Sequence, residues 1–144
     1  MSRMLLSLGI ILSASGCATG SFESGCPAVE SVKIIPYKEG LGYDAAYERL
    51  VRDDTCEPGL IRALSDVKKM KDPRQAPVDP RFAVSDAAVF ILLRRHQVNV
   101  KSILPIEVAK RLKDQGIYAY FDFVSTPAGR KFVIAKVEEL ARIR

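Results

Sequence analysis

The chain has 144 residues and a net charge of +5, with 22 Lys and Arg interspersed among 17 Asp and Glu. This mild and mixed charge argues against a nucleic-acid-binding protein, in which basic residues cluster on one face. The length is sufficient for one domain with a modest hydrophobic core.

The first 16 residues have the three parts of a secretory signal peptide. Arg3 provides a basic start, residues 4–12 are a mostly apolar run, and residues 13–16 are small. The apolar run is too short to span a bilayer, which requires about 20 residues. We therefore predict a cleaved signal peptide over residues 1–16. The chain that remains is mildly basic, because Arg3 is the only charged residue removed.

The segment Ala14-Ser15-Gly16-Cys17 resembles the lipobox of bacterial lipoproteins, although Ala14 stands where Leu is usual. In that family a lipid is attached to the cysteine, and the signal is cut just before it. The resemblance implies lipidation of Cys17 and a lipid-anchored, periplasm-facing location in the cell envelope. Ala18 takes the place of the Asp that favours the inner membrane, so the outer membrane is favoured. The alternative is an ordinary signal peptide cut nearby, or an uncleaved anchor.

Lipidation of Cys17 leaves Cys26 and Cys56 as an even pair. In an oxidising periplasm these two cysteines are expected to form a disulfide, whereas the alternative is two free, buried thiols. The bond would close a loop of about 31 residues and contribute on the order of 3–4 kcal/mol. Two cysteines and one distant histidine make a poor zinc site, so no metal and no cofactor are expected.

Residues 18–28 are small, polar and rich in Gly and Ser, so residues 17–28 are expected to form a flexible lipidated tether. Residues 29–144 then form a single, mostly helical domain. Within it, residues 32–36 are predicted to be a short strand or an extended arm. Apolar residues at helical spacing next predict a pair of short helices, the first carrying Ala46, Tyr47, Leu50 and Val51, and the second Leu60, Ile61 and Leu64 after Pro58.

Further helices are predicted after residues 67–82, a basic connection in which three prolines prevent a continuous helix. Ser85 is the predicted N-cap of a central, buried helix, because the following residues are apolar on every side. Pro105 predicts the start of another helix, with Gly116 as its C-terminal cap. Thr126 and Pro127 predict a last helix that continues to near the end of the chain.

The sequence allows two fold assignments at residues 117–124, because their aromatic and β-branched side chains favour a strand. We predict a mainly all-α domain, a small bundle of about five short helices. The alternative is an α+β fold in which residues 117–124 pair with residues 131–137 in a C-terminal hairpin.

No motif in the mature chain predicts catalysis, and the protein is expected not to be an enzyme. His96 is the only histidine, and at the end of a buried helix it is more typical of a cap or surface group than of a base. No Gly-x-Ser-x-Gly elbow or phosphate-binding glycine loop is present. Asp53 and Asp54 are adjacent acids between two helices, and such acids usually face water.

The best candidate for a binding surface is a group of basic residues on or beside the proline-containing connection. These residues could meet an acidic partner protein or anionic lipid headgroups, and the alternative is an ordinary solvated loop. The aromatic residues Tyr118, Tyr120, Phe121 and Phe123 are expected to pack in the core and not to line a groove. The candidate partner-binding residues are Lys68, Lys69, Lys71, Arg74 and Arg81.

These observations favour a membrane-tethered, non-catalytic protein-binding module. A specific form is an immunity protein against a toxin delivered into the periplasm, which is an analogy with a class of small tethered proteins. The alternatives are an envelope structural or assembly lipoprotein that binds peptidoglycan or a secretion complex, and an enzyme that uses His96 or the acidic residues. The expected partners are the membrane and an envelope or toxin protein, with no nucleic acid. The oligomeric state is not predicted.

Overall fold

The computed structural model describes residues 25–32, 45–70 and 81–143, and these residues are mainly helical, with no β-strand among them. The first 3-10 turn, at Val29–Ser31, comes before the first α-helix. The second 3-10 turn, at Asp54–Cys56, lies between the first two α-helices. The α-helices are α1 (Ala45–Arg52), α2 (Glu57–Ala63), α3 (Val84–Arg95), α4 (Val100–Ile103), α5 (Ile106–Gln115), α6 (Tyr118–Val124) and α7 (Pro127–Arg142). The prediction of a mainly all-α domain is therefore confirmed.

Helix α3 is the centre of the domain, as its apolar sequence predicts. Every residue of the helix except Arg94 is buried. A helix without a polar face must be enclosed by other elements, and α3 contacts α1, α2, α7 and the first 3-10 turn. The helix therefore joins the first half of the domain to the second half.

The start of α3 differs from the prediction. The helix begins at Val84 with Ala83 as its N-cap, so the assignment of Ser85 as the N-cap is wrong. The carboxylate of Asp86 accepts the backbone N–H of Ala83 at 2.9 Å, which satisfies one of the donors that a helix start leaves free. Ser85 is buried within the first turn instead.

The two helices before α3 form the predicted pair. Tyr47 and Leu50 of α1 and Leu60 of α2 are buried, and both helices lie on α3. Between them the Asp53 side chain accepts the backbone N–H of Thr55 at 3.0 Å and caps the second 3-10 turn. The predicted strand or arm at residues 32–36 lies almost wholly outside the described residues.

The C-terminal part is helical, so the hairpin alternative is wrong. Residues 118–124 form α6, because Tyr120, Phe121 and Val124 all face the core from a helix. Strand propensity chiefly measures how well aromatic residues pack against neighbours, and burial against α3 and α7 provides that packing here. The Phe90 and Tyr120 rings, for example, have centroids 5.1 Å apart.

Helices α5 and α7 have the predicted ends. Gly116 ends α5 with a φ of 59°, which suits glycine. The Thr126 side chain accepts the backbone N–H of Gly129 at 3.0 Å and caps α7. Gly129 is required by close approach, because a Cβ atom there would overlap the carbonyl group of Phe123. No helix in the described ranges is long and apolar enough to cross a membrane.

Candidate functional site

The predicted site residues are only partly described by the structure. Cys17, Lys71 and Arg74 lie outside the described residues, so their roles stay predictions. The two other cysteines and the remaining three basic residues are described. They form two separate sites, one where the tether meets the domain and one around Arg81.

Cys26 and Cys56 lie at disulfide distance, with Cα atoms 5.5 Å apart and 30 positions apart in sequence. Cys56 is buried in the second 3-10 turn, and Cys26 is half-buried at the end of the predicted tether. The residues after Cys26 pack on the domain as well, since Val29 and Val32 are buried and the first 3-10 turn contacts α3. The region around Cys26 is therefore where the predicted tether would meet the domain.

An open cavity of about 280 Å³ lies beside this cysteine pair, between residues 26–30, α2 and the start of α3. Its walls include apolar residues such as Leu50 and Val84, while Glu30, Arg62 and Asp66 add charge. Pockets that enclose a drug-sized ligand usually measure about 300–1,000 Å³, so this cavity is at the lower limit. No cluster of three or more His, Cys, Asp or Glu able to hold a metal occurs among the residues described.

The basic residues around the proline-containing connection are brought together by a short pairing of the two chain segments on either side of it. The Val84 N–H donates to the carbonyl oxygen of Lys68 at 2.9 Å, and the Met70 N–H donates to that of Phe82 at 3.1 Å. Lys69 forms an isolated antiparallel bridge with Ala83. Lys68 and Lys69 are exposed, and this pairing places their segment alongside the segment that contains Arg81.

Arg81 belongs to a surface ion pair network that the sequence did not predict. Its Nη1 lies 2.6 Å from Oδ1 of Asp122, and Nη2 of Arg111 lies 3.0 Å from Oδ2 of the same carboxylate. The hydrogen bond from Arg81 is the main cause that lowers the pKa of Asp122, and the charges of Arg81 and Arg111 also lower it. Asp122 is 41 positions from Arg81 in sequence, so no local pattern indicated this contact.

We name this region the paired-arginine surface and define it as Lys68, Lys69, Arg81, Arg111 and Asp122. The side chains of Arg81, Asp122 and Arg111 are 36%, 45% and 45% exposed. The Arg81 guanidinium also lies over the ring of Phe121, 6.0 Å from its centroid. The described residues of the surface therefore carry a net positive charge and are accessible, and its two arginines are held by contacts within the chain.

His96 occupies the C-cap position of α3, as predicted, but its side chain is not on the surface. The side chain is 5% exposed, and its Nε2 lies 3.3 Å from Oε1 of Glu57. This contact lacks hydrogen-bond geometry, and Nε2 has no hydrogen-bond partner. The interpretation of His96 as a surface group is thus corrected, because the α2 helix covers it.

The neighbouring Arg95 is the centre of a buried-arginine cluster at the C-terminal end of α3. Its side chain is 4% exposed. Nη2 donates to Asp54 at 2.7 Å and to Glu57 at 3.2 Å. Nη1 donates to the backbone carbonyl oxygens of Leu50, Val51 and Asp53, at 2.9, 3.0 and 3.0 Å. Asp54 and Asp53 are therefore occupied in structural contacts, the first with Arg95 and the second in capping.

A buried-acid cluster, comprising Ser85, Asp86, Tyr120 and Arg130, lies at the opposite end of α3. Oδ1 of Asp86 accepts the Tyr120 hydroxyl at 3.0 Å and Nη1 of Arg130 at 3.3 Å. Arg130 also donates to the Ser85 hydroxyl at 2.6 Å. Burial is the largest influence on Asp86 and raises its pKa, against the opposing effect of Arg130. This cluster joins α3 to α6 and α7.

The aromatic residues of α6 mostly fill the core, as expected. Tyr120 and Phe121 are almost completely buried. Phe123 is half-buried and lies edge-on to Phe132, with ring centroids 5.9 Å apart, whereas Tyr118 is 49% exposed. The four rings do not line a common groove, because two of them are enclosed by other helices.

No protein-family model, no curated protein and no solved structure matches this chain.

Proposed function

We propose that this protein is a lipid-anchored lipoprotein of the cell envelope, and that its helical domain is a non-catalytic module that binds another protein. In this proposal residues 1–16 are a signal peptide, Cys17 carries the lipid, and residues 17–28 are the tether. The domain faces the periplasm, and the outer membrane is favoured because Ala18 follows Cys17. The lipobox-like segment Ala14-Ser15-Gly16-Cys17 is the basis in the sequence.

The observation that carries the proposal is the position of Cys26 and Cys56 at disulfide distance. Structural disulfides persist in oxidising compartments and are rare in the reducing cytosol. A cysteine pair placed for a disulfide therefore supports export, independently of the apolar run at the amino terminus. The pair also supports the assignment of the third cysteine, Cys17, to a different chemistry.

The position of Cys26 also defines how far the domain would extend from the membrane. Nine positions separate Cys17 from Cys26. A fully extended chain spans about 3.3–3.6 Å per residue, so the lipidated residue and the domain would be at most about 32 Å apart. A disulfide to Cys56 would keep this distance short, because residues 26–56 would be unable to lengthen the tether.

The polar contacts inside the domain support a binding role more than a catalytic one. Asp86 is satisfied by groups from three segments of the chain, and Arg95 binds carbonyl groups of the first helix pair. Both residues are thereby used to hold helices together. Accessible polar groups of the described residues include those of the paired-arginine surface, which is suited to recognition of another molecule.

Attachment of the lipid is tested by metabolic labelling with an alkyne-bearing fatty acid in cells that express the full-length chain. We expect the wild-type protein to be labelled and to sediment with membranes, and Cys17→Ala to lose both properties. Cys26→Ser is the matched control, because it removes a thiol while leaving Cys17 intact, and it should be labelled. Label that persists in Cys17→Ala would refute the lipobox assignment.

Binding of a protein is tested by isolating the tagged, full-length chain from native membranes in mild detergent and identifying co-purified proteins by mass spectrometry. The proposal predicts one near-stoichiometric protein partner. A toxin as the partner would establish the immunity form of the proposal, whereas a peptidoglycan-associated or secretion protein would establish an assembly role. Recovery of a lipidated, folded chain without a protein partner would contradict the binding-module proposal.

A further inference from the structure

We propose that Cys26 is the exchange site of the cysteine pair, where a mixed disulfide forms with a partner protein that carries a reactive disulfide, and that the buried Cys56 then resolves it. This inference rests on the proposed function, because an exported chain would meet such a partner in the envelope. It is carried by the different surroundings of the two sulfur atoms and by the direction from which a disulfide is attacked.

The two cysteines differ in accessibility, although they lie at disulfide distance. Cys56 is 1% exposed and is part of the hydrophobic core. Cys26 is half-buried and packs against that core from outside. Its Sγ lies 3.8 Å from the hydroxyl oxygen of Thr55, in a contact that is exposed. The inference requires only this difference, that Cys26 is more accessible than Cys56.

The backbone of the two cysteines is held to different degrees. The Cys56 N–H donates to the carbonyl oxygen of Asp53 at 3.0 Å, and Cys56 ends the second 3-10 turn directly before α2. Cys26 precedes the first 3-10 turn, and its backbone forms no hydrogen bond with another residue of the described ranges. A segment without backbone hydrogen bonds is displaced at a lower cost in free energy. Cys26 is therefore the cysteine that can turn toward a partner.

The direction of attack also selects Cys26. A thiolate attacks one sulfur of a disulfide from the side opposite the other sulfur, which leaves as a thiolate. Attack on Cys26 therefore approaches from the side away from Cys56, where the chain is less enclosed. Attack on Cys56 would have to approach through the core in which this residue is buried. The open cavity borders both cysteines, yet Cys56 exposes only 1% of its surface.

Formation of the bond uses the same order of contacts. The Cys26 thiolate attacks the partner's disulfide, which forms the mixed disulfide and releases one partner thiolate. The Cys56 thiolate then attacks Sγ of Cys26 and displaces the second partner thiolate. In balance, two hydrogen atoms pass from the cysteine pair to the partner, whose disulfide becomes a dithiol. The partner is thus a protein with an accessible disulfide that exchanges readily.

The order of reaction is tested with Cys56→Ser and Cys26→Ser in the full-length chain. These variants are matched, since each lacks the disulfide and retains one cysteine of the pair. Each is incubated with oxidised glutathione in mild detergent, and peptide mapping by mass spectrometry gives the rate of adduct formation at each cysteine. We expect Cys26 to react about tenfold or more faster than Cys56, because burial limits exchange. In concentrated guanidinium chloride the two rates should agree within about threefold, because unfolding removes the difference in burial.

Equal rates in the folded variants, or a faster reaction of Cys56, would overturn the proposal. Circular dichroism checks that both variants are folded. If Cys26→Ser is unfolded, the oxidised wild-type protein decides the question. Brief treatment with reduced glutathione, quenched with acid, should leave the glutathione adduct on Cys26, and adducts mainly on Cys56 would overturn the order.

The partner is tested by acid quenching of cells that express the full-length Cys56→Ser variant, followed by electrophoresis without reductant and mass spectrometry. The proposal predicts a different protein linked through Cys26 and released by a reductant, with no such conjugate for Cys26→Ser. A conjugate with a second copy of the chain, or with small thiols alone, would overturn the choice of partner. Labelling of Cys17 is measured in the same cells. A chain that is lipidated but forms no conjugate would contradict this inference and leave the proposed function intact.

Discussion

The two ends of α3 each bury a charged side chain, but they neutralise it in different ways. At the N-terminal end Asp86 receives hydrogen bonds from a backbone N–H, a tyrosine hydroxyl and an arginine. At the C-terminal end Arg95 donates mainly to backbone carbonyl oxygens at the end of α1 and in the turn that follows it. An acid at the start and a cation at the end both suit the dipole of α3.

The difference between the two ends shows how one helix holds together two parts of the chain. The buried-acid cluster joins α3 to helices that follow it, through side chains 34 and 44 positions away in sequence. The buried-arginine cluster joins α3 to the helices that precede it, through the backbone. Charged residues are expensive to bury without hydrogen-bond partners, so both clusters favour a particular arrangement of neighbours.

The largest loss of stability is expected when the buried-arginine cluster is disrupted. Arg95→Met leaves the carbonyl groups of Leu50 and Val51 and the Glu57 carboxylate without the Arg95 donor, and removal of one member of a buried charged cluster typically costs about 3–5 kcal/mol. We expect a loss of this size in the free energy of unfolding, measured by urea denaturation with the cysteines oxidised. Arg94→Met is the control, because Arg94 is exposed on the same helix. If both variants unfold at the same urea concentration, the cluster does not stabilise the domain.

A slightly smaller loss of stability is expected when the cysteine pair is removed. Cys56 lies in the same 3-10 turn as Asp54 of the buried-arginine cluster. The double variant Cys26→Ser/Cys56→Ser should lower the free energy of unfolding by about 3–4 kcal/mol, because the unfolded chain regains the freedom of its closed loop. Addition of a reductant should reproduce this loss in the wild-type protein and leave the double variant unchanged. A wild-type protein that is insensitive to the reductant would indicate that the two thiols are not joined.

The buried-acid cluster should be less sensitive to a conservative change. Asp86→Asn keeps one carbonyl oxygen as an acceptor but deprives Arg130 of its buried anion, and an unmet polar partner costs about 1–3 kcal/mol. The expected loss is therefore smaller than for Arg95→Met. The exposed Asp114→Asn is the control and should have little effect. A larger loss at Asp86 than at Arg95 would reverse the comparison between the two ends.

The smallest effect is a dependence of stability on pH at the acid end of α3, where Asp86 is buried. Burial raises the pKa of Asp86 above the ordinary 3.8, so the folded state binds this proton more tightly than the unfolded state. The contribution of Asp86 to stability is then greatest below pH 3.8 and falls as the pH rises to the folded-state pKa.

This dependence is measured as the difference in free energy of unfolding between wild type and Asp86→Asn across the acidic range. The subtraction removes the opposite contribution of Asp53, Asp122 and Glu139, whose lowered pKa values make stability fall as the pH falls. The advantage of the wild type should shrink as the pH rises. A difference that stays constant or grows with pH would contradict the effect of burial on Asp86.

Local signals in the sequence predicted much of this fold. Thr126, Pro127 and Gly116 mark helix ends because their effects act on the backbone within one turn. The uninterrupted apolar run of α3 likewise required burial. The start of α3 was misplaced by two residues, because the N-cap is Ala83, which has no capping side chain, and the Asp86 side chain instead accepts the backbone N–H of Ala83.

The contacts that the sequence did not predict are those between distant residues. Arg111 and Asp122 join Arg81 only because α5, α6 and the segment before α3 meet at the surface. Tyr120 reaches Asp86 because residues 118–124 are a helix, and their aromatic composition favoured a strand instead. Neither contact has a local pattern, since each depends on how complete helices pack.

The most direct test of the central claim, that a lipid on Cys17 holds this domain at a membrane, is the intact mass of the protein extracted from native membranes without reductant. We predict a chain that begins at Cys17, carries the mass of attached acyl groups and gains two hydrogen atoms when Cys26 and Cys56 are reduced. A chain that retains residues 1–16, or that begins elsewhere with no lipid on Cys17, would contradict the account.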